Sequence, residues 1–414
     1  MPDAFLSLHS KDEFSFLLDR EHNLNNRFSV MGAAKSLVSE AEIQSVLESM
    51  NSTIENDLVE LPFDFRPGVV GAYRYEGQAT FMVVDRAIVL DHQSSAAYFL
   101  GIFETEQDFI RFRDAALLRL ALIGGEGAVY RSANKIQPVT SITSRHSDEE
   151  YLVLIEKAKE AIARGDAYQL CLTNQLTVET TSDPYAVFLE IRKANPAPYS
   201  SYMRFGDVSL VSSSPEQFLR VHESGVVSSK PIKGTRKRSS DEAEDARLIE
   251  ELRTNEKERA ENLMIVDLMR NDLGKVSEPS AVVVAKLFDV ESYASVHQLV
   301  STIEAKLKPG LNVFDAIRAS FPAGSMTGAP KIRAMEILSK LEDGPRGLYS
   351  GCFGYISYKG AADLGMTIRT LIFEGGKATL GIGGGITIDS DSQAELEETK
   401  LKSRALLIAL GVEA

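Results

Sequence analysis

The chain has 414 residues, of which 44% are hydrophobic and 25% charged, with a net charge of −14. That composition supports a large core and excludes disordered, collagenous and low-complexity classes. The charge argues against broad binding to nucleic-acid backbones and requires that any anionic substrate be captured by a local positive centre. Two cysteines cannot build a disulfide framework or a structural zinc site. Met1-Pro2-Asp3-Ala4-Phe5-Leu6 lacks a basic region followed by an apolar one. No apolar run approaches the ~20 residues that span a bilayer. The expectation is a soluble cytoplasmic protein with no membrane or nucleic-acid partner.

Along the chain, Asp12 to Asp19 is a short amphipathic stretch, and Val70–Tyr75 and Thr80–Leu90 read as strands around a Glu76-Gly77 turn. Phe109, Phe112, Ala115, Leu118 and Leu122 recur at helical spacing, which predicts a helix over Thr105–Leu122 ended by Gly124-Gly125. A polar connection over 131–147 separates an N-terminal region, 1–135, from a larger one, 148–414. In the latter, Asp148–Arg164 reads as a helix and Tyr168–Leu176 as a strand. Val208–Ser212 and Gln217–His222 read as a strand pair, and Glu242–Leu273 as one long helix stopped by Gly274. Gly351–Tyr358, Met366–Phe373 and Lys377–Ile382 read as strands, the last two joined by a Glu374-Gly375-Gly376 hairpin. Ser392–Leu410 is a final helix. Strands in adjacent pairs with helices between groups predict antiparallel sheets in an α+β fold.

Several segments can carry chemistry. Glu395, Glu398 and Lys402 share one helix face, and two carboxylates one turn apart can seat Mg²⁺. The same residues also read as a Ser392–Glu395 capping box with a Glu398–Lys402 ion pair. Gly381-Ile382-Gly383-Gly384-Gly385 can present amides to an anion or simply form a tight turn. Arg369, amid apolar and β-branched neighbours, needs a carboxylate partner if buried. Glu261 precedes an apolar helical run and is either a ligand or a wet-face residue. Lys230 to Arg238 packs five bases into nine positions, a solvated loop or a nucleic-acid patch. Within it Lys233, between Pro231-Ile232 and Gly234-Thr235, can face inward, and a lysine in a dry pocket can become a nucleophile. Cys352 in Gly351-Cys352-Phe353-Gly354 hints at a glutaminase nucleophile, but no histidine base follows His297, so Cys352 and Cys171 are expected in the core.

Taken in order, Ser214-Pro215-Glu216, Pro231-Ile232-Lys233-Gly234-Thr235-Arg236, Ala260-Glu261-Asn262, Gly324-Ser325-Met326-Thr327-Gly328-Ala329-Pro330-Lys331, Gly354-Tyr355, Ile368-Arg369-Thr370, the glycine run and the Glu395/Glu398/Lys402 helix resemble the chorismate-utilising enzymes. Within them the likeness is to the aminodeoxychorismate synthase component I family and, more distantly, to anthranilate synthase component I. It is strong from about Tyr151 onward and weak before that, resting there on Arg27-Phe28-Ser29 and the segment 68–73.

The resemblance implies a sandwich of two antiparallel sheets with helices outside and the active site between them. It implies Mg²⁺ on Glu261, Glu395 and Glu398, bridging to the ring carboxylate of chorismate. Tyr355, Arg369, Gly383, Gly385 and Lys402 match positions that hold substrate carboxylates; Ser325 and His297 match positions near the ring. Glu216 matches a general acid for the departing C4 hydroxyl. Gln169 stands where water-adding relatives carry a lysine base. Lys233 and Thr235 give the Pro-Ile-Lys-Gly-Thr form of the aminodeoxychorismate synthases, in which the lysine is the nucleophile and ammonia follows. A separate glutamine amidotransferase subunit is implied as the ammonia source, on the way to 4-aminobenzoate and folate. The alternatives are anthranilate synthase component I and, from another class, a nucleic-acid-binding protein using 230–238. Leu17-Leu18-Asp19-Arg20 departs from the Leu-Leu-Glu-Ser of the anthranilate synthase feedback site, so tryptophan control is not expected.

Overall fold

Every strand described by the computed structural model, which covers residues 1–412 except 24–25, 55–59, 125–128 and 131–132, belongs to one of two antiparallel sheets. The first runs in the order Gly328–Ala329, Gln169–Glu179, Lys377–Ile386, Thr370–Glu374, Val208–Ser214, Tyr199–Phe205, Phe14–Asp19, Phe28–Ala34, Arg86–Asp91 and Ala96–Gly101, with Ser141–Ser144 also on Gln169–Glu179. The second runs Ile232–Lys237, Val296–Lys306, Val226–Lys230, Gln217–Val221, Ala362–Met366, Cys352–Ser357, Gly68–Tyr73, Ala79–Val84 and Leu37–Ser39, with Val283–Ser292 on Val296–Lys306. Strands from both sequence regions enter both sheets.

The sheets face each other across an apolar layer: Phe16, Leu18, Tyr199, Met203 and Leu210 from the first meet Val70, Met82, Phe353 and Tyr355 from the second. Helices cover the outer faces, Pro184–Ala194 and Ser392–Ala409 on the first sheet, Glu256–Val276 and Val313–Ser320 on the second. This is the expected α+β sandwich. Among the described residues no helix is long and apolar enough to cross a membrane.

Three stretches expected as single strands or as a pair instead pass from one sheet to the other. Thr80–Leu90 divides at Asp85 into Ala79–Val84 and Arg86–Asp91. Val208–Ser214 and Gln217–Val221 do not pair; they lie in different sheets with Pro215-Glu216 between them. Met366–Phe373 divides at Thr367–Arg369, where Arg369 has φ of +50°. In the first and third, apolar and β-branched residues resume directly after the crossing, so periodicity alone cannot mark it; in the second, the polar run 212–217 separates the strands but reads equally well as a hairpin turn. The last two crossings lie side by side. Ser212 pairs with Thr370 in the first sheet and Gln217 with Gly365 in the second. The backbone N–H of Ser213 donates to the Arg369 carbonyl at 3.0 Å, and that of Met366 to the Glu216 carbonyl at 2.9 Å. One two-stranded ribbon therefore bends from sheet to sheet, with Glu216 and Arg369 at the bend.

Other boundaries also differ. Asp12–Asp19 is not amphipathic: Phe14–Asp19 is a strand whose last five residues are all buried. The long helix breaks at Asn255, which is extended (φ −63°, ψ 115°) and whose side chain caps Glu256–Val276 by accepting from the Glu258 N–H. Gly274 lies inside that helix, which ends at Val276. Thr105 caps the Glu106–Ala121 helix; Gly125 lies outside the described residues. The Gly375-Gly376 hairpin forms as expected, with positive φ at both glycines. Cys171 and Cys352 are both buried.

Phe353 is 0% exposed in the layer between the sheets. Phe353→Ala is expected to lower unfolding free energy by about 3–5 kcal/mol. Ile332→Ala, at a residue 76% exposed, should change it by less than about 0.5 kcal/mol. Urea unfolding of the two variants checks this.

Candidate functional site

The amine of Lys233 organises the candidate site. It extends from the Ile232–Lys237 strand at the edge of the second sheet, and Gly234, at φ +82°, makes the local irregularity in register between Ile232 and Thr235. Its Nζ lies 3.4 Å from Glu261 Oε2, with both side chains largely buried. Burial pushes the ammonium down in pKa, but Glu261, Cys171 and Glu216 outweigh it, so the net direction is up. The other bases of the 230–238 run are mostly engaged too. Lys230 pairs with Glu291, Arg236 with Glu251 and Glu258, and Arg238 with Asp245. The expected solvated basic loop is a strand studded with ion pairs, which removes the basis for a nucleic-acid patch.

Glu216 approaches Lys233 from the ribbon bend. It is 7% exposed. Burial raises its carboxyl to about 7, against the lowering effect of the Ser325 hydroxyl, Lys233 and the Ile232 N–H. Ser325 comes from a short turn over Gly324–Met326.

The glycine run supplies the opposite wall. It is not a turn but part of the Lys377–Ile386 strand, paired along its length with Gln169–Glu179, while its pairing with Thr370–Glu374 on the other edge stops at Leu380. A Cβ on Gly385 would lie 2.0 Å from Gln169 Nε2 and 3.3 Å from Lys233 Nζ, so hydrogen at that position is what lets both side chains in. Gln169 is buried with Oε1 unpartnered. Gly383 accepts at its carbonyl from Lys402 Nζ at 2.9 Å. A Cβ on Gly384 would touch Glu395.

The final helix closes the site. Lys402 pairs with Glu398 at 2.8 Å. The expected Ser392–Glu395 capping box is absent: Asp391 is the cap, accepting from the Ala394 N–H, and Glu395 accepts from the Ser390 hydroxyl at 2.8 Å. Burial and Glu398 raise the Glu395 carboxyl, and Glu258 is raised by burial, Glu261 and Glu398. These carboxylates therefore crowd one another, and as hard oxygen donors they suit Mg²⁺ in chemistry. Among the described residues no three His, Cys, Asp or Glu groups stand close enough to enclose a metal; Glu261 and Glu398 are each taken up by a lysine.

Arg369 contributes the least balanced charge. Burial lowers its pKa, and only Tyr349 and Glu398 oppose this; no hydrogen-bonded carboxylate relieves it. The carboxylate partner that burial calls for is not in the described chain.

Two matched residues lie elsewhere. Tyr355 faces the space between the sheets, edge-on to Phe65, and lines a cavity of about 980 Å³ with Arg20, Arg220 and Asp363. Tyr349, which the motif reading passed over, stands by Arg369 and packs where a Gly381 side chain would be. His297 is 0% exposed with both ring nitrogens engaged, Nδ1 with Ser292 and Nε2 with Asp245. The adjacent Gln298 carries an unpartnered buried Oε1 and pairs in register with the exposed Thr235. Strand alternation turns neighbouring side chains to opposite faces, which a one-residue difference in matching a motif cannot reveal. Lys233, Glu261, Glu216, Ser325, Gln169 and Gly385 gather about the ribbon that bends from one sheet to the other.

Glu216 gives a signed test. Between about 4.5 and 7 the folded chain holds a proton that the unfolded chain has lost, so wild-type stability falls as pH rises through that window. Glu216→Gln removes the effect. The variant should gain on wild type by on the order of 3 kcal/mol between pH 4.5 and pH 8, measured by urea unfolding. A difference that does not change with pH would place this carboxyl in an ordinary environment.

The chain matches the chorismate binding enzyme family model over residues 27–408. It is 41% identical over 396 residues to an aminodeoxychorismate synthase of Streptomyces griseus, covering 92% of this chain and 55% of that protein. It is 38% identical over 339 residues to anthranilate synthase component 1 of Acetivibrio thermocellus, covering 80% of this chain and 68% of that one. Among solved structures, anthranilate synthase component I from Streptococcus pneumoniae matches with a TM-score of 0.79 and 27% identity over 93% of each chain. The chain thus spans about half the length of the aminodeoxychorismate synthase it matches. Its family is settled by the extent of the match and the shared fold: it belongs to the chorismate binding enzymes.

Proposed function

We propose that this chain converts chorismate and ammonia to 4-amino-4-deoxychorismate, the first step toward 4-aminobenzoate and folate. The observation that carries this reading is Lys233. A buried amine, paired with Glu261, stands beside a carboxyl that burial raises to about 7, and the ribbon bend that carries this carboxyl also carries Arg369, which makes no ion pair with a carboxylate of the described residues. The 41% identity to named aminodeoxychorismate synthases supports the same choice.

Chorismate carries two carboxylates, and Arg369 and Lys402 are the cations available to them. In this reading Lys233 attacks C2 as the free amine, the ring double bonds C1=C2 and C5=C6 shift to C1=C6 and C4=C5, and the C4 hydroxyl leaves as water after taking the proton of Glu216. Ammonia then adds at C4, both double bonds shift back as the C2–N bond breaks, Lys233 departs as the amine, and the new C4 ammonium returns a proton to Glu216. Glu216, protonated below about pH 7, is suited to the acid role. Lys233 stays protonated while Glu261 balances it, so nucleophilic attack requires that this carboxylate be engaged elsewhere. Glu261, Glu395 and Glu398 would hold Mg²⁺. When bound there, the ion supplies a counter-charge for the ring carboxylate as Lewis acid and template. Gln169 gives the pocket an amide where a base would activate water, which favours ammonia as the incoming nucleophile. The ammonia source is proposed to be a separate glutamine amidotransferase subunit.

The test is product identification. With chorismate, Mg²⁺ and an ammonium salt, the chain is expected to form aminodeoxychorismate, detected by mass spectrometry. EDTA should abolish product formation, and glutamine should not replace the ammonium salt. Anthranilate as the product would assign the chain to the activity named for its other relatives.

A further inference from the structure

We propose that Arg346 and Glu342 are positioning residues for the site: a buried ion pair that completes an unpaired strand edge and holds Gln169 in place relative to Ser325. The proposal rests on the chorismate reading above for its assay, but its evidence is geometric.

The Gln169–Glu179 strand is fully laddered on one side by the glycine-run strand. Its other edge pairs with Gly328–Ala329 at Gln169 and Leu170 and with Ser141–Ser144 from Leu176 to Glu179. Backbone bonds reach a little further, from the Cys171 N–H to the Thr327 carbonyl and from the Arg145 N–H to the Gln175 carbonyl, but the Cys171 carbonyl and the Thr173 N–H between them still need partners, because an orphaned buried amide or carbonyl is costly. Side chains supply them. Glu342 Oε1 accepts from the Thr173 N–H at 2.9 Å, and Arg346 Nη2 donates to the Cys171 carbonyl at 2.8 Å. The two are themselves joined in a fork, Arg346 Nε to Glu342 Oε2 at 2.8 Å and Nη2 to Oε1 at 2.6 Å. Both side chains are under 5% exposed.

The same guanidinium reaches the other side of the site. Arg346 Nη1 donates to the Met326 carbonyl at 2.6 Å, next to Ser325, whose hydroxyl serves Glu216. Its upper face is covered by the Tyr75 ring at 4.3 Å. One planar group thus ties the strand that carries Gln169 to the turn that carries Ser325. A lysine cannot reproduce this, since its ammonium lacks the rigid fork needed to span a carboxylate and two carbonyls in different directions.

Neither residue touches the candidate substrate space, so their loss should act on the chemical step through geometry. Small misplacements of reacting groups cost rate far more than binding. In the ammonium-dependent assay, Arg346→Lys is expected to lower kcat at least about 10-fold while KM for chorismate stays within about 3-fold. Glu342→Gln, which keeps an acceptor for Thr173, should fold and lose less. Phe353→Ala, destabilised but remote from this pair, should retain kcat per folded molecule. Wild-type kcat in both folded variants, or a loss no greater than that of Phe353→Ala, would overturn the proposal while leaving the chorismate reading intact. Failure of the wild type to turn over chorismate would overturn both.

Discussion

The structure depends on the two chain crossings that lie side by side between the sheets. Each crossing interrupts a ladder, and each would leave backbone groups unpaired were the other not beside it. The bonds from Ser213 to Arg369 and from Met366 to Glu216 close that gap. Because the bend is held by backbone bonds on both strands, the side chains at its apex are set by the ladders on either side and not by a flexible loop. Glu216 is turned toward Lys233, and Arg369, in a left-handed backbone conformation, is turned toward Tyr349. A sandwich whose sheets were joined only by surface loops would have no such fixed point.

Charge balance explains much of the remainder. The chain carries a net charge of −14, and its site sets three cations, Lys233, Lys402 and Arg369, among the carboxyl groups of Glu216, Glu261, Glu395 and Glu398. Lys233 and Lys402 are each held by a carboxylate, and Arg369 is not. Desolvation of a charge is tolerated only when something compensates it. The paired lysines meet that condition by direct contact, whereas Arg369 has only the more distant influence of Tyr349 and Glu398. A dianion approaching an acidic protein is therefore drawn by a few local charges in a confined space and not by the overall field. Gly385 lets these groups converge, since any side chain there would collide with Gln169 and crowd Lys233.

Much of this was legible in the sequence. Adjacent strand signals gave the antiparallel α+β class, the spacing of Glu395, Glu398 and Lys402 gave one helix face, and the inward setting of Lys233 gave a buried amine. What failed shares one cause. Periodicity reports which residues are buried, not against which sheet, so the crossings at Asp85 and Arg369 are hidden within strand-like runs, and the polar break at 212–217 reads as a hairpin turn. Motif matching likewise cannot resolve alternation. Tyr355 and His297 belong to the right segments but face away from the cluster, while Tyr349 and Gln298 are placed to face it or to carry free polar atoms. The glycine run reads as an anion cradle or a tight turn; in the folded chain it is not a turn but a strand whose lack of side chains makes room for Gln169 and Lys233. Arg346 and Glu342 gave no signal at all, since an ion pair that replaces a strand is visible only once the unpaired edge is known.

The proposed chemistry turns on Lys233 acting as a nucleophile and not merely as a buried counter-ion to Glu261. The direct measurement is to incubate the enzyme with chorismate and Mg²⁺ in the absence of ammonia, quench, digest and map the peptides by mass spectrometry. A chorismate-derived adduct on Lys233, lost when ammonium is added before quenching, is the predicted result. Unmodified Lys233, together with full aminodeoxychorismate turnover by Lys233→Ala, would contradict it.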